Sequence, residues 1–287
     1  MTDLLVRFAG KIGAPFRPGL LVGDTVHDIS RRYPTIAAFL AAHRNGWDSE
    51  TELQKDAPAL PRSDVILGPP IDPGSLVYAV GANYHKHAEE AGLSVPAQPL
   101  IFTKPYTALV GPDEAIEIPP LSEQFDYEGE MAVVIGRDAK RVSRDAAPEY
   151  VAGVTILNDV TARDLQWVEL GKHSIVDWFA SKGLDRSSPL GPGIASLNGF
   201  SDIHAIKLKT TLNGTVMQDA DTSLMVYKTW ELIEFVTARA TLRAGDVLAT
   251  GTPVGVGGFR QIFLKQGDTV RIELEGVGGL ENGVIRN

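Results

Sequence analysis

The sequence predicts an α+β fold rich in β-strand, and three observations support this prediction. Segments rich in Val and Ile, bounded by Gly, Asn and Asp, dominate the chain and are typical of strands. The 287 residues include 29 glycines and 18 prolines, as expected for many tight turns. Because strands and helices do not alternate regularly, we expect an antiparallel or mixed sheet.

Residues 1–70 are predicted to form a small N-terminal domain. The segments LLVRFAG and PGLLVGDTVHDIS have the character of strands, and TIAAFLAAHRNG that of a helix closed by Gly46. The polar, proline-containing passage SETELQKDAPALPRSDVILGPPIDPG resembles a linker. We therefore place a domain boundary near residue 70, with residues 71–287 as the second domain.

The second domain is predicted to consist mainly of strands. SLVYAVG, YEGEMAVVIG and YVAGVTILND are strand-like, and Asn213-Gly214 predicts a tight hairpin within IKLKTTLNGTVMQD. WELIEFVTARATL has apolar residues at helical spacing. TVRIELEGVG alternates apolar and charged residues, which indicates a half-exposed strand.

Composition excludes several classes of function. The net charge of −9, without any run of five like charges, argues against binding to nucleic acid or anionic membranes. Zero cysteines exclude disulfides and thiolate metal sites, so a metal would need oxygen or imidazole ligands. The sequence shows no signal peptide and no apolar stretch long enough to span a membrane. A cytoplasmic protein is expected.

Two glutamates, Glu128 and Glu130, flank a glycine at the start of the strand EGEMAVVIG. Residues i and i+2 of a strand share a face, so the carboxylates project together, and a divalent cation would relieve their repulsion. Asp159 follows the apolar run VAGVTILN and is a candidate third ligand. The alternatives are a solvated pair of acids at a strand tip, and a turn or helix-capping role for Asp159.

The stretch GANYHKHAEEAG, residues 81–92, allows two interpretations. On a strand, His85 and His87 could bind one metal ion. On a helix begun by Asn83 and ended by Gly92, the two histidines lie about 200° apart, whereas His87 and Glu90 face each other. A carboxylate behind His87 would orient it as a base towards water. A surface helix with incidental charges is the remaining alternative.

Two further segments offer groups that bind oxyanions. Lys182 lies between small residues in SKGLDRSSPLGP, on a predicted loop, where a lysine is usually solvated but near a metal could neutralise an oxyanion. LATGTPVGVG could present backbone N–H groups and the hydroxyls of Thr250 and Thr252 to a carboxylate. Plain turn structure is the alternative, since the segment lacks the ending of a phosphate-binding loop.

Taken in order, these motifs resemble the fumarylacetoacetate hydrolase family. The resemblance runs from about residue 75 to 275, through GANYHKHAEE, FTKP, YEGEMAVVIG, NDVTARDLQ, SKGLD, LNG and DVLATGTPVGVG. It implies a β-sandwich roll of mixed sheets with a small N-terminal domain, usually homodimeric. The sequence departs from the family pattern at KGLD, where KSFD is expected, which implies a roomier pocket wall.

The resemblance also implies roles for individual residues. It implies Mg²⁺ or Mn²⁺, with Ca²⁺ as an alternative, held by Glu128, Glu130 and Asp159. His87 and Glu90 would handle water, and Lys182 would be catalytic. The positions implied to contact substrate are Arg163, Gln166 and Thr252. His85 matches no catalytic position.

The implied activity is hydrolysis of a C–C bond in a 2,4-dioxo acid, such as fumarylpyruvate or maleylpyruvate, to pyruvate and a carboxylic acid. The same apparatus would suit an isomerase or tautomerase of 2-hydroxy-dienedioates, or an oxaloacetate decarboxylase. Two alternatives of other classes are a zinc hydrolase using His85 and His87, and a non-catalytic β-rich protein with a structural divalent cation. A small 2-oxo acid is the expected partner.

Overall fold

The structure, a computed structural model, describes residues 3–43, 46–47, 51–92 and 94–287. Its strands are, in chain order, β1 (Leu4–Ala9), β2 (Arg17–Val22), β3 (Thr25–Asp28), β4 (Ala59–Pro61), β5 (Ile66–Gly68), β6 (Val77–Gly81), β7 (Leu100–Lys104), β8 (Leu109–Val110), β9 (Ile116–Ile118), β10 (Phe125–Asp126), β11 (Gly129–Ile135), β12 (Val151–Asn158), β13 (Thr161–Ala162), β14 (Trp167–Leu170), β15 (His173–Val176), β16 (Ser188–Ser196), β17 (Lys207–Leu212), β18 (Thr215–Asp221), β19 (Val247–Ala249), β20 (Thr269–Leu274) and β21 (Gly278–Arg286).

Helices are short. The α-helices are α1 (Ile36–Ala42), α2 (Thr51–Gln54), α3 (His85–Glu90), α4 (Trp178–Lys182) and α5 (Thr229–Thr237). Short 3-10 helices lie at Arg62–Asp64, Tyr106–Ala108, Arg144–Tyr150, Arg163–Leu165, Leu197–Gly199, Thr222–Leu224 and Gly258–Arg260. In the part of the chain that the structure describes, no helix is long and apolar enough to cross a membrane. The predicted β-rich α+β class is confirmed.

One mixed sheet of twelve strands organises the fold, in the order β4-β3-β2-β1-β16-β12-β11-β19-β6-β7 with β5 and β8 attached beside β1 and β16. The strands before residue 70 belong to this sheet, because β1 pairs antiparallel with β16 with Leu4 opposite Ala195. The boundary near residue 70 stays a prediction. The predicted helix of the N-terminal segment is α1, which is capped by Thr35 and ends at Ala42, four residues before Gly46.

A second sheet of five strands, β18-β17-β20-β21-β9, packs against the first. The predicted hairpin joins β17 to β18, where Asn213 and Gly214 have φ of 49° and 80°, the two positive values that a type I′ turn requires. Strand β20 alternates buried and half-exposed residues as predicted.

The core lies on both faces of β11. Met131 and Val133 belong to the apolar cluster that includes the five-stranded sheet, whereas Ala132 and Val134 belong to the cluster that includes α1. Because side chains alternate along a strand, Glu130 shares its direction with Ala132 and Val134. The beginning of β11 therefore places the carboxylate of Glu130 at the end of a buried face.

Candidate active site

Three buried carboxylates meet where β11 begins and β12 ends. One oxygen from each of Glu128, Glu130 and Asp159 lies within 4.8 Å of the other two. Strand pairing produces this arrangement, since Gly129 lies opposite Asn158 and the N–H of Asp159 donates to the carbonyl of Glu128 at 2.8 Å. The cluster that strand geometry predicted is thus present.

The glycine between the two glutamates is required by packing. A Cβ at Gly129 would lie 2.3 Å from Thr210 Oγ1 on the neighbouring sheet. The N–H of Gly129 donates to Gln218 Oε1 at 3.0 Å. A larger residue would therefore push the two sheets apart and separate the carboxylates.

Lys182 is not on a loop, as the sequence suggested, but is the last residue of α4 and is buried. Its Nζ donates to Glu128 Oε2 at 2.8 Å and to Asp159 Oδ2 at 2.5 Å. Burial lowers the pKa of Lys182, but the charges of Asp159 and Glu128 outweigh burial and raise it above the ordinary value. Lys182 is therefore held as a cation inside the carboxylate cluster.

A second buried lysine, Lys104, was not assigned a role from the sequence. Its Nζ lies 2.7 Å from Asp159 Oδ1, a close charge pair whose angles do not suit a hydrogen bond. Burial lowers the pKa of Lys104. The signal was present in LIFTK, because Phe102 and Lys104 share one face of β7 and a lysine in line with buried apolar residues needs a partner.

Arg163 contacts three side chains of the site, two that were predicted from the sequence and one that was not. It contacts Glu128 Oε1 at 2.5 Å, Asp126 Oδ2 at 2.8 Å and Gln166 Oε1 at 3.3 Å. The segment after Asp159 does not begin an α-helix, since Thr161–Ala162 forms β13 against β10. Asp159 is therefore not a helix cap, and Asp126 is the acid that sequence reasoning missed.

The charges of the cluster are unevenly balanced. Burial raises the pKa of Glu128, but Lys182 and Arg163 outweigh it and hold that pKa at about 2. Burial, together with Asp159 and Glu128, raises the pKa of Glu130 well above its ordinary value. Among the described residues no cation lies at ion-pair distance from Glu130. Three hard oxygen donors with one uncompensated charge fit a divalent metal ion.

The glycine-rich segment 249–258 donates backbone N–H groups to the protein's own carboxylates. Gly251 donates to Glu130 Oε2 at 2.8 Å, and Gly257 and Gly258 donate to the two oxygens of Asp126 at 2.7 and 2.8 Å. Gly251 has φ of +89°, which favours glycine. The backbone donors predicted for a bound carboxylate thus serve side chains of the site.

The two threonines of this segment are hydrogen-bonded to backbone. Thr250 Oγ1 donates to the carbonyl of Met131 at 2.8 Å, and Thr252 Oγ1 donates to that of Gly129 at 2.9 Å. Both hydroxyl protons already have backbone acceptors, so in this structure neither threonine can donate its proton to a ligand as the sequence suggested. Thr252 nevertheless lines the cavity described below.

The stretch 81–92 contains the predicted helix, α3, and Gly92 follows it with φ of +67°. Asn83 is not its N-cap, because the Asn83 side chain bonds the backbone of Tyr227 and Thr250. His85 is exposed and His87 faces the cavity. The helix therefore separates the two histidines, and the shared metal site proposed for a strand is absent from this helix.

His87 and Glu90 are neighbours without a direct hydrogen bond. His87 Nδ1 lies 3.8 Å from Glu90 Oε2, which accepts the N–H of Gly255 at 3.1 Å. Burial raises the pKa of Glu90, but His87 and the Gly255 N–H outweigh burial, so the pKa lies below its ordinary value. A small movement would complete the predicted pair.

These groups surround one cavity of about 320 Å³. All predicted site residues except Glu90, which lies behind His87, line it: His87, Glu128, Glu130, Asp159, Arg163, Gln166, Lys182 and Thr252. The sequence motifs, scattered over more than 160 residues, are thus brought together by the fold. A charged floor, a histidine on one wall and an enclosed space are the requirements of a small-molecule enzyme site.

Comparison with known proteins supports this assignment. The family model of the fumarylacetoacetate (FAA) hydrolase C-terminal domain matches residues 76–285. The chain is 42% identical to the mitochondrial oxaloacetate tautomerase FAHD2A of Bos taurus over 235 residues, 81% of this chain and 74% of that protein.

Solved structures are similar over the whole length. The 2-hydroxyhepta-2,4-diene-1,7-dioate isomerase of Mycobacterium marinum is 35% identical with a TM-score of 0.76, covering 100% of this chain and 99% of that one. The maleylpyruvate hydrolase of Sphingobium sp. SYK-6, in complex with manganese(II) and pyruvate, is 26% identical with a TM-score of 0.81, covering 99% of both chains. Members of this group are enzymes, and the chain belongs to the fumarylacetoacetate hydrolase family.

Proposed function

We propose that the chain is a metal-dependent enzyme that hydrolyses the C–C bond of a 2,4-dioxo acid, an acylpyruvate, to pyruvate and a carboxylic acid. The observation that carries the proposal is the buried triad of Glu128, Glu130 and Asp159 at the floor of a cavity that also exposes His87. Such a site combines a centre that stabilises negative charge with a separate group able to move a proton.

Mg²⁺ or Mn²⁺ is the proposed cofactor, with Ca²⁺ as the alternative. The manganese(II) and pyruvate complex of the similar maleylpyruvate hydrolase supports this choice. When bound by Glu128, Glu130 and Asp159, the ion supplies a Lewis acid for the 2-oxo carbonyl of the substrate.

The other residues of the cavity position the substrate and stabilise charge. Arg163 and Gln166 are proposed to bind the substrate carboxylate, because both project into the cavity and hold each other at 3.3 Å. Thr252 lines the cavity and is proposed to contact the substrate, while its hydroxyl donates to the carbonyl of Gly129 and accepts from Gln218 Nε2. Lys182, held as a cation, stabilises the negative charge that develops on the 2-oxo oxygen.

His87 is the proposed base. It takes a proton from water, whose oxygen attacks C4, and the C3–C4 bond then breaks with its electron pair passing into the enolate of pyruvate. Protonation of C3 by the imidazolium returns His87 to its neutral form and gives pyruvate, so atoms and charge balance. Glu90 orients His87 and stabilises its charged form once the 3.8 Å separation closes.

Keto–enol tautomerisation of a 2-oxo acid is the second candidate. The 42% identity to a protein named oxaloacetate tautomerase favours it. The 3.8 Å distance between His87 Nδ1 and Glu90 Oε2 also favours tautomerisation. Proton transfer at C3 needs the imidazole, whereas hydrolysis also needs the imidazole to be held in a fixed orientation towards water. Isomerisation of a hydroxy-dienedioate would use the same enolate, and so would decarboxylation of oxaloacetate.

One experiment separates these reactions. The Mn²⁺-loaded protein is incubated with acylpyruvates, a hydroxy-dienedioate and oxaloacetate, while pyruvate, enol absorbance and carbon dioxide are followed together. Pyruvate release from an acylpyruvate is expected; enol–keto exchange without release would establish the second candidate instead.

Paired histidine variants test the base. His87→Gln is expected to bind Mn²⁺ normally and to lose hydrolysis by about 10²–10⁴-fold, the usual contribution of a general base. His85→Gln is the matched control, because His85 is exposed and lies two residues away on the same helix, and it should retain both properties. Hydrolysis by His87→Gln at the wild-type rate would remove His87 from the mechanism.

A further inference from the structure

Part of the cavity lining is apolar. We call the five residues Leu100, Phe102, Trp167, Val176 and Trp178 the apolar wall, because all of them line the cavity. Its inner end touches the charged floor, since the Phe102 ring centroid lies 5.3 Å from Lys182 Nζ. Its next layer is Trp178, whose ring stacks on Phe102 at 4.5 Å between centroids with 1° between planes. The wall thus begins where the 2-oxo acid would be bound.

The apolar wall continues to the rim of the cavity. Phe102 is only 8% exposed, whereas Leu100 is 44% and Trp167 is 49% exposed. Trp167 lies opposite Val176 across the β14–β15 hairpin, so this pair adds a second apolar side to the rim. Partly exposed apolar side chains around an enclosed space are favourable contacts for an apolar ligand, because binding removes their surface from water.

The cationic side chains that line the cavity lie at the charged floor, where they contact the protein's own carboxylates and are assigned to the 2-oxo acid end of the substrate. Arg163 contacts Glu128 and Asp126, and Lys182 contacts Glu128 and Asp159. Among the described residues the remaining basic group on the lining is His87. Arg260 lies near α3, with its Nε 4.0 Å from Glu90 Oε1. A second substrate carboxylate placed on the apolar wall would therefore lose its hydration without gaining a partner.

We propose that the group attached to C4 of the substrate is uncharged and apolar, an aryl or alkyl chain that packs on the apolar wall. This inference rests on the proposed function and narrows its substrate class. It disfavours the fumaryl and maleyl tails considered from the sequence, and it disfavours oxaloacetate. The cavity of about 320 Å³ falls in the range of about 300–1,000 Å³ of sites that enclose drug-sized ligands, so it has room beyond a four-carbon acid.

A series of acylpyruvates that differ only in the acyl group tests the proposal on the Mn²⁺-loaded protein. The series comprises acetyl-, hexanoyl-, benzoyl- and fumarylpyruvate, and kcat/KM is measured for each. Each methylene buried on the apolar wall is expected to raise kcat/KM by roughly twofold to fourfold, from the transfer free energy of a CH₂ group. Benzoyl- and hexanoylpyruvate should therefore exceed acetylpyruvate by about tenfold or more, and fumarylpyruvate should be the poorest.

Charge introduced at the rim should reverse the preference. Leu100→Arg is expected to raise the fumaryl-to-benzoyl ratio of kcat/KM by about tenfold or more, because it supplies the missing partner for a distal carboxylate. Leu121→Arg, at another exposed leucine that does not line the cavity, is the matched control and should leave the ratio unchanged. Trp178→Ala should lower kcat/KM for hexanoylpyruvate by a larger factor than kcat/KM for acetylpyruvate.

The outcomes distinguish this inference from the proposed function. If no member of the series releases pyruvate, the proposed hydrolysis fails. If the wild type turns over fumarylpyruvate better than benzoyl- and hexanoylpyruvate, the function stands and the apolar assignment is overturned. An unchanged ratio in Leu100→Arg, with a wild-type melting temperature, would equally overturn it.

Discussion

Replacing Glu130 by glutamine should change the stability of the protein in opposite directions with and without metal. Glu130 is 1% exposed and lies within 4.8 Å of the carboxylate oxygens of Glu128 and Asp159. Within the described part of the chain, its carboxylate accepts one hydrogen bond, from the N–H of Gly251, and a glutamine oxygen can accept the same bond. Glu130→Gln therefore removes a buried charge while keeping the shape and this contact.

The magnitude follows from the charges around the carboxylate. At the 4.8 Å limit of the cluster, each of the two neighbouring carboxylates repels Glu130 by about 3 kcal/mol at an effective dielectric constant of about 20. Lys182 offsets part of this repulsion through its own attraction to Glu130. A net gain of about 1–2 kcal/mol is expected in metal-free Glu130→Gln, which corresponds to a melting temperature raised by about 2–6 °C.

Bound metal should reverse the order, so that the wild type becomes more stable than Glu130→Gln. Mn²⁺ at about 100 times its dissociation constant stabilises the wild type by about 2.7 kcal/mol, and Glu130→Gln should gain far less because it lacks a charged ligand. Thermal melts in EDTA and in MnCl₂ measure both effects, with Glu275→Gln as an exposed control. A metal-induced shift equal to that of the wild type would show that Glu130 is not a ligand. A lower melting temperature in EDTA would show that its charge is compensated.

Three further predictions concern the surroundings of the site. The pKa of Glu90 is lowered from the ordinary 4.5, so ionised Glu90 stabilises the fold above pH 4.5 and this contribution is lost as the pH falls through the lowered value. Glu90→Gln should accordingly melt about 2 °C lower at pH 7, from a partly exposed charged hydrogen bond of about 1 kcal/mol, and a difference that persists unchanged at acid pH would contradict this. Lys104→Met leaves Asp159 with one cation and should cost about 2–4 kcal/mol in EDTA, largely recovered by Mn²⁺ in urea titrations; equal midpoints in EDTA would refute the pairing. Gly251→Ala should lower the free energy of unfolding by about 1–3 kcal/mol more than Gly267→Ala, because a Cβ at Gly251 would lie 2.9 Å from Asn83 whereas Gly267 has a similar positive φ and open space around it. Equal losses for the two variants would count against close packing at Gly251.

The part of the site that follows from local geometry was predictable from sequence. Glu128 and Glu130 point the same way because two residues are one strand repeat, and His85 and His87 diverge because two residues are little more than half a helical turn. In each case only the type of element had to be known. The residue pattern supplied that type through Val and Ile in one case and through AEEA in the other.

The residues that were missed depend on contacts between distant segments. Lys104 was not assigned a role from the sequence, and its partner Asp159 comes from a distant segment, because β7 meets the end of β12 only in the folded chain. Asn83 has the residue type of a helix cap, but contacts with Tyr227 and Thr250, more than 140 residues away, determine its side chain. Local propensity was overridden there by tertiary hydrogen bonds.

The glycine-rich segment 249–258 links the parts of the site through its backbone, and a Cβ at Gly251, Gly255 or Gly257 would clash with neighbouring atoms. Its N–H groups donate to three different carboxylates: Gly251 to Glu130, Gly255 to Glu90, and Gly257 and Gly258 to Asp126. Asp126 in turn holds Arg163, which contacts Glu128. Backbone donors stabilise carboxylates without adding side-chain bulk or a titrating group, so the cations remain available to the cluster. A displacement of this segment would therefore disturb Glu130, Glu90 and Arg163 at the same time.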